Sequence, residues 1–130
     1  MITGSEPPVL AVVTDLIFSS RIRAEARALG RNVHLINKLD SLSAAMAASP
    51  PPKLLLVDLN CPSPDPLAII KSAAAGPPDC TIVCFYSHVQ DDLAKNAVAA
   101  GADKVLPRSR FVQQLPEILR FAGRDERQNP

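Results

Sequence analysis

The chain has 130 residues, of which 47% are apolar, and it carries fourteen Lys and Arg residues against thirteen Asp and Glu residues. This length and apolar content fit one globular domain that buries roughly two-thirds of its unfolded surface. A net charge of +1 creates no long-range field that favours nucleic acid or an anionic membrane. No apolar run reaches the roughly 18 residues that cross a bilayer, so we expect a cytoplasmic protein with neither kind of partner.

Cysteine usage points to the same compartment. The three cysteines, Cys61, Cys80 and Cys84, are odd in number, and their spacing matches no paired zinc motif. We therefore expect free thiols in a reducing environment.

Short apolar runs alternate along the chain with longer segments of helical period. This alternation is typical of a doubly wound parallel sheet with helices on both faces. Five strands are predicted, at residues 9–13, 33–36, 53–59, 81–85 and 104–106. Five helices should separate or follow them, so the fold class is α/β.

The first predicted helix shows its inner face most clearly, with Ile22, Ala26 and Leu29 at helical spacing. Ser19 or Ser20 is the expected N-cap, and Gly30 is the expected stop. The other helices are predicted at 41–48, 66–75, 91–100 and 112–122, with Pro116 placed in the first turn of the last one. One domain should span residues 1–123, followed by a flexible tail at 124–130.

Polar residues follow four of the predicted strands, where such a sheet places its ligands. They are Thr14 and Asp15, Asp58 and Asn60, Ser87 and His88, and Arg108. Two facing carboxylates suit a hard divalent cation such as magnesium. A hydroxyl and a guanidinium beside them would supply donors for phosphoryl oxygens. These side chains together are therefore suited to the formation of an aspartyl phosphate.

Two stretches resemble the receiver domain of response regulators. LLLVDLNCPSPDPL, around Asp58, is similar to the family's phosphoacceptor strand and the loop after it, and AVAAGADKVLPRSRF is similar to its fourth helix and fifth strand. The resemblance covers nearly all of residues 9–122. It implies the chemotaxis-regulator-like, flavodoxin-like fold with strand order 2-1-3-4-5, and a place in two-component signal transduction and phosphorelay.

The resemblance also assigns roles to the residues at the strand ends. Asp58 falls on the phosphoacceptor, and Asp15 falls on the second acid of the metal-binding pair. Asn60 falls on the residue whose backbone carbonyl helps to bind magnesium. Ser87 falls on the hydroxyl that reports phosphorylation, and Arg108 falls on the family's lysine.

The chain departs from the family pattern at the metal pair and at the lysine. Thr14 replaces the first acid, so magnesium binding through Asp15, Asp58 and Asn60 should be weak. Arginine in place of lysine replaces the compact charge of an ammonium group by a planar guanidinium. We expect Arg108 to form a salt bridge with Asp58 in place of a cation.

Three further departures concern signal transmission. The family's aromatic switch residue falls at Val105, and Ser87 is one residue closer to Gly101 than usual, so Tyr86 is an alternative for the hydroxyl position. The family has a cis bond between its lysine and a proline. Here Ser109 follows Arg108, and we predict a trans bond because a cis form costs about 2.5–4 kcal/mol before a non-proline residue.

These features favour a divergent receiver or pseudo-receiver that is not an enzyme and acts through protein–protein interaction, with weak or no phosphorylation. The expected docking surface is formed by the fourth helix, fifth strand and fifth helix. The main alternative is a competent receiver that takes a phosphoryl group on Asp58 from a histidine kinase with magnesium and changes its dimerisation. A small-ligand sensor at the same strand ends is a third interpretation. A haloacid-dehalogenase-like phosphatase is disfavoured because its second acid would fall at Asn60.

Overall fold

The computed structural model describes residues 7–87 and 92–121. The strands are β1 (Val9–Val12), β2 (Val33–Leu35), β3 (Leu54–Asp58), β4 (Thr81–Tyr86) and β5 (Lys104–Pro107). The helices are α1 (Leu16–Ala28), α2 (Leu39–Met46), α3 (Pro66–Ala74), α4 (Leu93–Ala100) and α5 (Arg108–Phe121). All five predicted strands are confirmed to within one residue at each end. His88, the predicted helix start at Asp91, the predicted helix end at Ala122 and the predicted tail at 124–130 lie outside the described residues.

The five strands form one parallel sheet in the order β2-β1-β3-β4-β5, as the resemblance implied. The strand order reverses between β1 and β3, since β1 is flanked by β2 on one side and β3 on the other. This reversal places the ligand-binding crevice of such folds beyond the ends of β1 and β3.

The sheet separates two apolar layers because successive side chains of a strand point to opposite faces. Leu10, Val12, Leu55, Val57 and Cys84 pack on one side with residues of α2, α3 and α4. On the other side, residues of α1 and α5 cover a second set that includes Val9, Ala11, Leu54, Leu56 and Phe85. The sheet is thus buried on both faces, which explains why its strands read as continuous apolar runs.

Helix α1 begins earlier than predicted. Its N-cap is Asp15, whose side chain accepts a hydrogen bond from the Phe18 N–H at 3.0 Å. Ser19, predicted as a cap, lies inside the helix, where its hydroxyl donates to the Leu16 carbonyl at 3.1 Å. The serine prediction was wrong because the carboxylate of Asp15, three residues after β1, caps the helix before either serine is reached.

Helix α5 also begins earlier than predicted, at Arg108 directly after β5. Pro116 therefore lies in the helix interior and not in its first turn. Proline has no N–H, so the carbonyl of Val112 loses its usual intrahelical partner. Burial of Phe111 and Leu115 one turn apart, each 0% exposed, holds this helix on the sheet despite that loss.

Smaller differences concern α2 and its neighbours. Helix α2 starts and ends two residues before the predicted bounds of 41–48. Between α3 and α4 the packing is close: a Cβ atom added to Gly101 would lie 2.5 Å from the Cβ of Ala74. Gly101 also has a φ of +126°, a conformation that L-residues with side chains rarely adopt.

The prediction that the cysteines are free thiols is confirmed. Cys61, Cys80 and Cys84 are free and buried, and burial raises the pKa of Cys80 and of Cys84 to about 12. Of the helices within residues 7–87 and 92–121, none has the length and hydropathy to span a membrane. The Arg108–Ser109 bond is trans as predicted, and the described cis bonds precede Pro50 and Pro64.

Candidate functional site

The sheet register brings the predicted site residues to one edge. Asp58 ends β3 and pairs with Phe85 of β4, while Tyr86 pairs with Pro107 of β5. Asp15, Ser87 and Arg108 follow the ends of β1, β4 and β5. We call the surface formed by Asp15, Asp58, Asn60, Ser87 and Arg108 the rim.

The carboxylate of Asp15 is engaged at both oxygen atoms. Oδ1 accepts the N–H of Phe18, and Oδ2 lies 3.3 Å from a guanidinium nitrogen of Arg108. The pKa of Asp15 is lowered, chiefly by the hydrogen bond from Phe18. Burial opposes this effect, and the Arg108 guanidinium adds to the lowering. Asp15 therefore serves at once as a helix cap and as the anion of an ion pair.

Arg108 is held by three different contacts. One guanidinium nitrogen reaches Asp15, and the other donates to the hydroxyl of Ser87 at 3.2 Å. The guanidinium carbon lies 3.8 Å from the centroid of the Phe18 ring, within the range of a cation–π contact. The Arg108 and Asp15 side chains remain 36% and 46% exposed, so solvent screens their charge interaction.

The predicted salt bridge between Arg108 and Asp58 was wrong, since Arg108 pairs with Asp15 instead. The reason is the position of Phe18 in the first turn of α1, beside the Asp15 cap. A guanidinium that lies on this ring is directed to the carboxylate at the start of the same helix.

Phe18 is the site residue that the sequence reasoning missed. Its ring is 5% exposed and packs against Phe85 and Phe111, with centroid distances of 5.1 and 5.9 Å. Its spacing of four residues before Ile22 is the signal that could have revealed it. That signal was lost because the helix was expected to begin after Phe18.

Asp58 sits in a different environment from Asp15. It is half-buried, and its Oδ1 accepts the N–H of Asn60 at 2.9 Å. Burial raises the pKa of Asp58, while the Asn60 N–H and the Arg108 charge act in the opposite direction and the Asp15 charge adds to the rise. Desolvation thus outweighs the favourable contacts of this carboxylate.

Asn60 ties the loop after β3 to the end of β4. Its N–H donates to Asp58, and its side-chain oxygen accepts the N–H of Ser87 at 2.6 Å. Ser87 is exposed, and its hydroxyl lies beside Arg108. Tyr86 packs instead against the apolar layer under α2, α3 and α4, as Val105 does. Of the two candidates for the hydroxyl position, Ser87 is therefore the one whose hydroxyl contacts Arg108.

Oxygen ligands for a cation are few at the rim. Thr14 is exposed, and its hydroxyl oxygen lies 3.9 Å from the buried sulfur of Cys61, which donates more closely to the Ser63 carbonyl. Within the described ranges, no group of three or more His, Cys, Asp or Glu side chains is arranged to hold a metal ion. Asp15 and Asp58 are the acids at the rim, and Asp15 already faces a guanidinium.

Comparisons with known proteins identify the fold. No protein-family model matches the chain, and no curated protein matches it. Solved structures do match, at low sequence identity.

The signal receiver domain of an HD domain-containing protein from Pseudomonas fluorescens Pf-5 matches with a TM-score of 0.74 and 19% identity, over 90% of this chain and 94% of that one. A CheY-like receiver domain protein from Methanospirillum hungatei JF-1 matches with a TM-score of 0.72 and 16% identity, over 88% and 94%. A response regulator from Burkholderia pseudomallei, solved with a phosphorylated aspartic acid, a calcium ion and citrate, matches with a TM-score of 0.67 and 20% identity, over 95% and 75%. The chain therefore has the fold of response-regulator receiver domains.

Proposed function

We propose that the chain is a receiver-like signal-transduction module that acts through protein–protein interaction, with weak or no phosphorylation of Asp58. The observation that carries the proposal is the engagement of both Asp15 oxygens, by the Phe18 N–H and by Arg108. A receiver phosphorylated in the usual way needs acid oxygens that are free to receive a cation. Here a side chain of the protein itself neutralises one of the two acids.

The donor set at the rim suits magnesium poorly. Thr14 offers a neutral hydroxyl where the family has an acid, and the positive charge of Arg108 would repel a divalent cation placed beside Asp15. Magnesium requires a near-octahedral set of oxygen ligands at short distance. Asp15 and Asp58 supply such a set poorly, because Asp15 is already paired with Arg108.

A partner protein would dock on α4, β5 and α5. Val98 of α4 is 59% exposed, which supports an apolar contact on this face. Substitution of Val98 by Asp should remove proteins that co-purify with the wild type, whereas Leu35→Asp, on the exposed β2 strand, should retain them. Proteins that still co-purify with the Val98→Asp variant but not with the Leu35→Asp variant would show that the docking surface lies elsewhere.

The competent receiver remains a second candidate because of one observation. Within the described residues, Asp58 has a hydrogen bond at Oδ1 only, so Oδ2 is available as a nucleophile. In that reaction Oδ2 would form a bond to phosphorus, and the bond from phosphorus to the donor atom, the histidine nitrogen of a kinase or the acyl oxygen of acetyl phosphate, would break. The donor would leave with the electron pair of that bond. The Burkholderia neighbour, which carries a phosphorylated aspartic acid, supports this candidate by analogy.

Intact-mass spectrometry separates the two candidates. The protein is incubated with acetyl phosphate and magnesium, beside an Asp58→Asn control and a sample without magnesium. The proposal predicts no stoichiometric gain in mass by the wild type. A stoichiometric, phosphate-sized gain that needs both Asp58 and magnesium would overturn it and establish the competent receiver, with acetate as the product released.

A further inference from the structure

A groove of about 640 Å³ lies beside the rim, between the start of α1 and the start of α5. Its volume falls within the range of roughly 300–1,000 Å³ that is usual for small-molecule sites. It is lined by Ile17, Phe18, Arg21, Ser87, Arg108, Ser109 and Val112. Ser87 and Arg108 belong to both the groove and the rim, whereas Asp58 is not part of the groove lining.

The polar side of the groove is suited to an anion. Arg21 and Arg108 are its charged lining residues, and no acidic side chain lines it within residues 7–87 and 92–121. The contacts of Arg108 with Asp15 and Ser87 use two of the five guanidinium N–H groups. The Ser87 hydroxyl accepts from Arg108, so its own proton is free to be donated onward.

Arg108 is also held in place before any ligand arrives. The Phe18 ring lies under its guanidinium at 3.8 Å, and the ring is fixed by its buried contacts with Phe85 and Phe111. A donor that is already oriented loses less conformational entropy when it binds an anion. Apart from Ser109, the rest of the wall is apolar. Ile17 is 85% exposed there, and Val112 is partly buried.

We propose that this groove binds a small amphipathic organic anion, with its carboxylate at Arg21, Arg108 and Ser87 and its apolar part against Ile17 and Val112. This site goes beyond the protein-docking role proposed above and does not depend on it. Because the apolar wall and the arginines lie in one groove, both parts of the ligand should be required for binding.

Phenylacetate is the probe for the test, with two controls of matched shape or charge. Phenylacetamide keeps the ring and loses the charge, and acetate keeps the charge and loses the ring. Backbone amides are followed by ¹H–¹⁵N chemical-shift titration. Saturable shifts at Ile17, Arg21, Ser109 and Val112 are expected with phenylacetate, and much weaker ones with either control.

Two matched pairs of variants locate the site. Arg21→Gln should weaken phenylacetate binding by about three- to tenfold through loss of a charge-assisted contact, whereas Arg23→Gln, an exposed residue of α1 outside the lining, should not. Ile17→Ser should weaken it and Leu16→Ser should not, although both side chains are highly exposed.

Three results would overturn the proposal. They are equal shifts with phenylacetamide, shifts centred on another surface, and equal loss of affinity in the two members of either pair. None of these results depends on whether Asp58 accepts a phosphoryl group, so failure of the groove and failure of the proposed function are distinguishable.

Discussion

Phe18 is predicted to orient Arg108, and substitution by leucine tests this directly. Leucine keeps most of the buried volume but loses two aromatic pairs and the contact under the guanidinium. Each aromatic pair contributes about 0.5–1.5 kcal/mol, and an exposed cation–π contact contributes about 0.5–1 kcal/mol. Taking the low end of each range, because neighbouring contacts are not additive, we expect Phe18→Leu to lower the free energy of unfolding by about 1.5 kcal/mol.

Urea denaturation measures this loss. With a slope of about 1.5 kcal/mol per molar urea, the midpoint should fall by about 1 M. Phe18→Ala should cost more, about 3–5 kcal/mol, because it also leaves a cavity in the core. A Phe18→Leu variant as stable as the wild type would show that the ring contributes only its volume.

A double-mutant cycle isolates the contact between the ring and the guanidinium. Phe18→Leu is combined with Arg108→Gln, and the coupling free energy should be about 0.5–1 kcal/mol. Phe111→Leu is the matched control, because Phe111 packs on Phe18 and Phe85 and forms no described contact with Arg108. Zero coupling for Phe18, or equal coupling for Phe111, would refute the orienting role.

Three other outcomes are expected. Asp15→Asn should be more stable than Asp15→Ala, because asparagine still caps α1 while only the ion pair with Arg108 is lost; equal stabilities of the two variants in urea would argue against the cap. Burial raises the pKa of Asp58 above its ordinary value of 3.8, so protonated Asp58 favours the folded state and this contribution is lost as pH rises through the raised pKa. The stability of Asp58→Asn relative to the wild type should therefore increase from acidic to neutral pH, and a constant difference in urea titrations would contradict this sign. Gly101→Ala should lower the free energy of unfolding by about 2–4 kcal/mol through its positive φ and the clash with Ala74, and adding Ala74→Gly should recover only the steric part of that loss.

The fold was largely predictable because its strands are buried on both faces. Runs such as those at residues 9–13 and 53–59 are apolar without interruption, and a parallel sheet requires that pattern. Helix starts were less predictable, since caps depend on local geometry that composition does not reveal. Asp15 was predicted as a metal ligand, and the structure shows that it is also the cap of α1.

The site was predictable in its members and less so in its contacts. Asp15, Asp58, Asn60, Ser87 and Arg108 do meet at one edge of the sheet, because the ends of parallel strands share that edge. The pairing of Arg108 with Asp15 could not be predicted, since it depends on the Phe18 ring beneath the guanidinium. A buried aromatic residue in the first turn of a helix can be recognised from the sequence only when the N-cap residue before it has been identified.

The most direct test of the account is a magnesium titration followed at the backbone amides of Asn60 and Ser87. The wild type is compared with the double variant Thr14→Asp/Arg108→Lys, which adds an acid next to Asp15 and replaces the guanidinium by an ammonium group. We expect weaker magnesium binding by the wild type than by the double variant, because the variant adds an acid and removes the guanidinium that pairs with Asp15. Saturation of both proteins at the same magnesium concentration would show that the ion pair between Arg108 and Asp15 does not weaken cation binding at the rim, and would contradict this explanation.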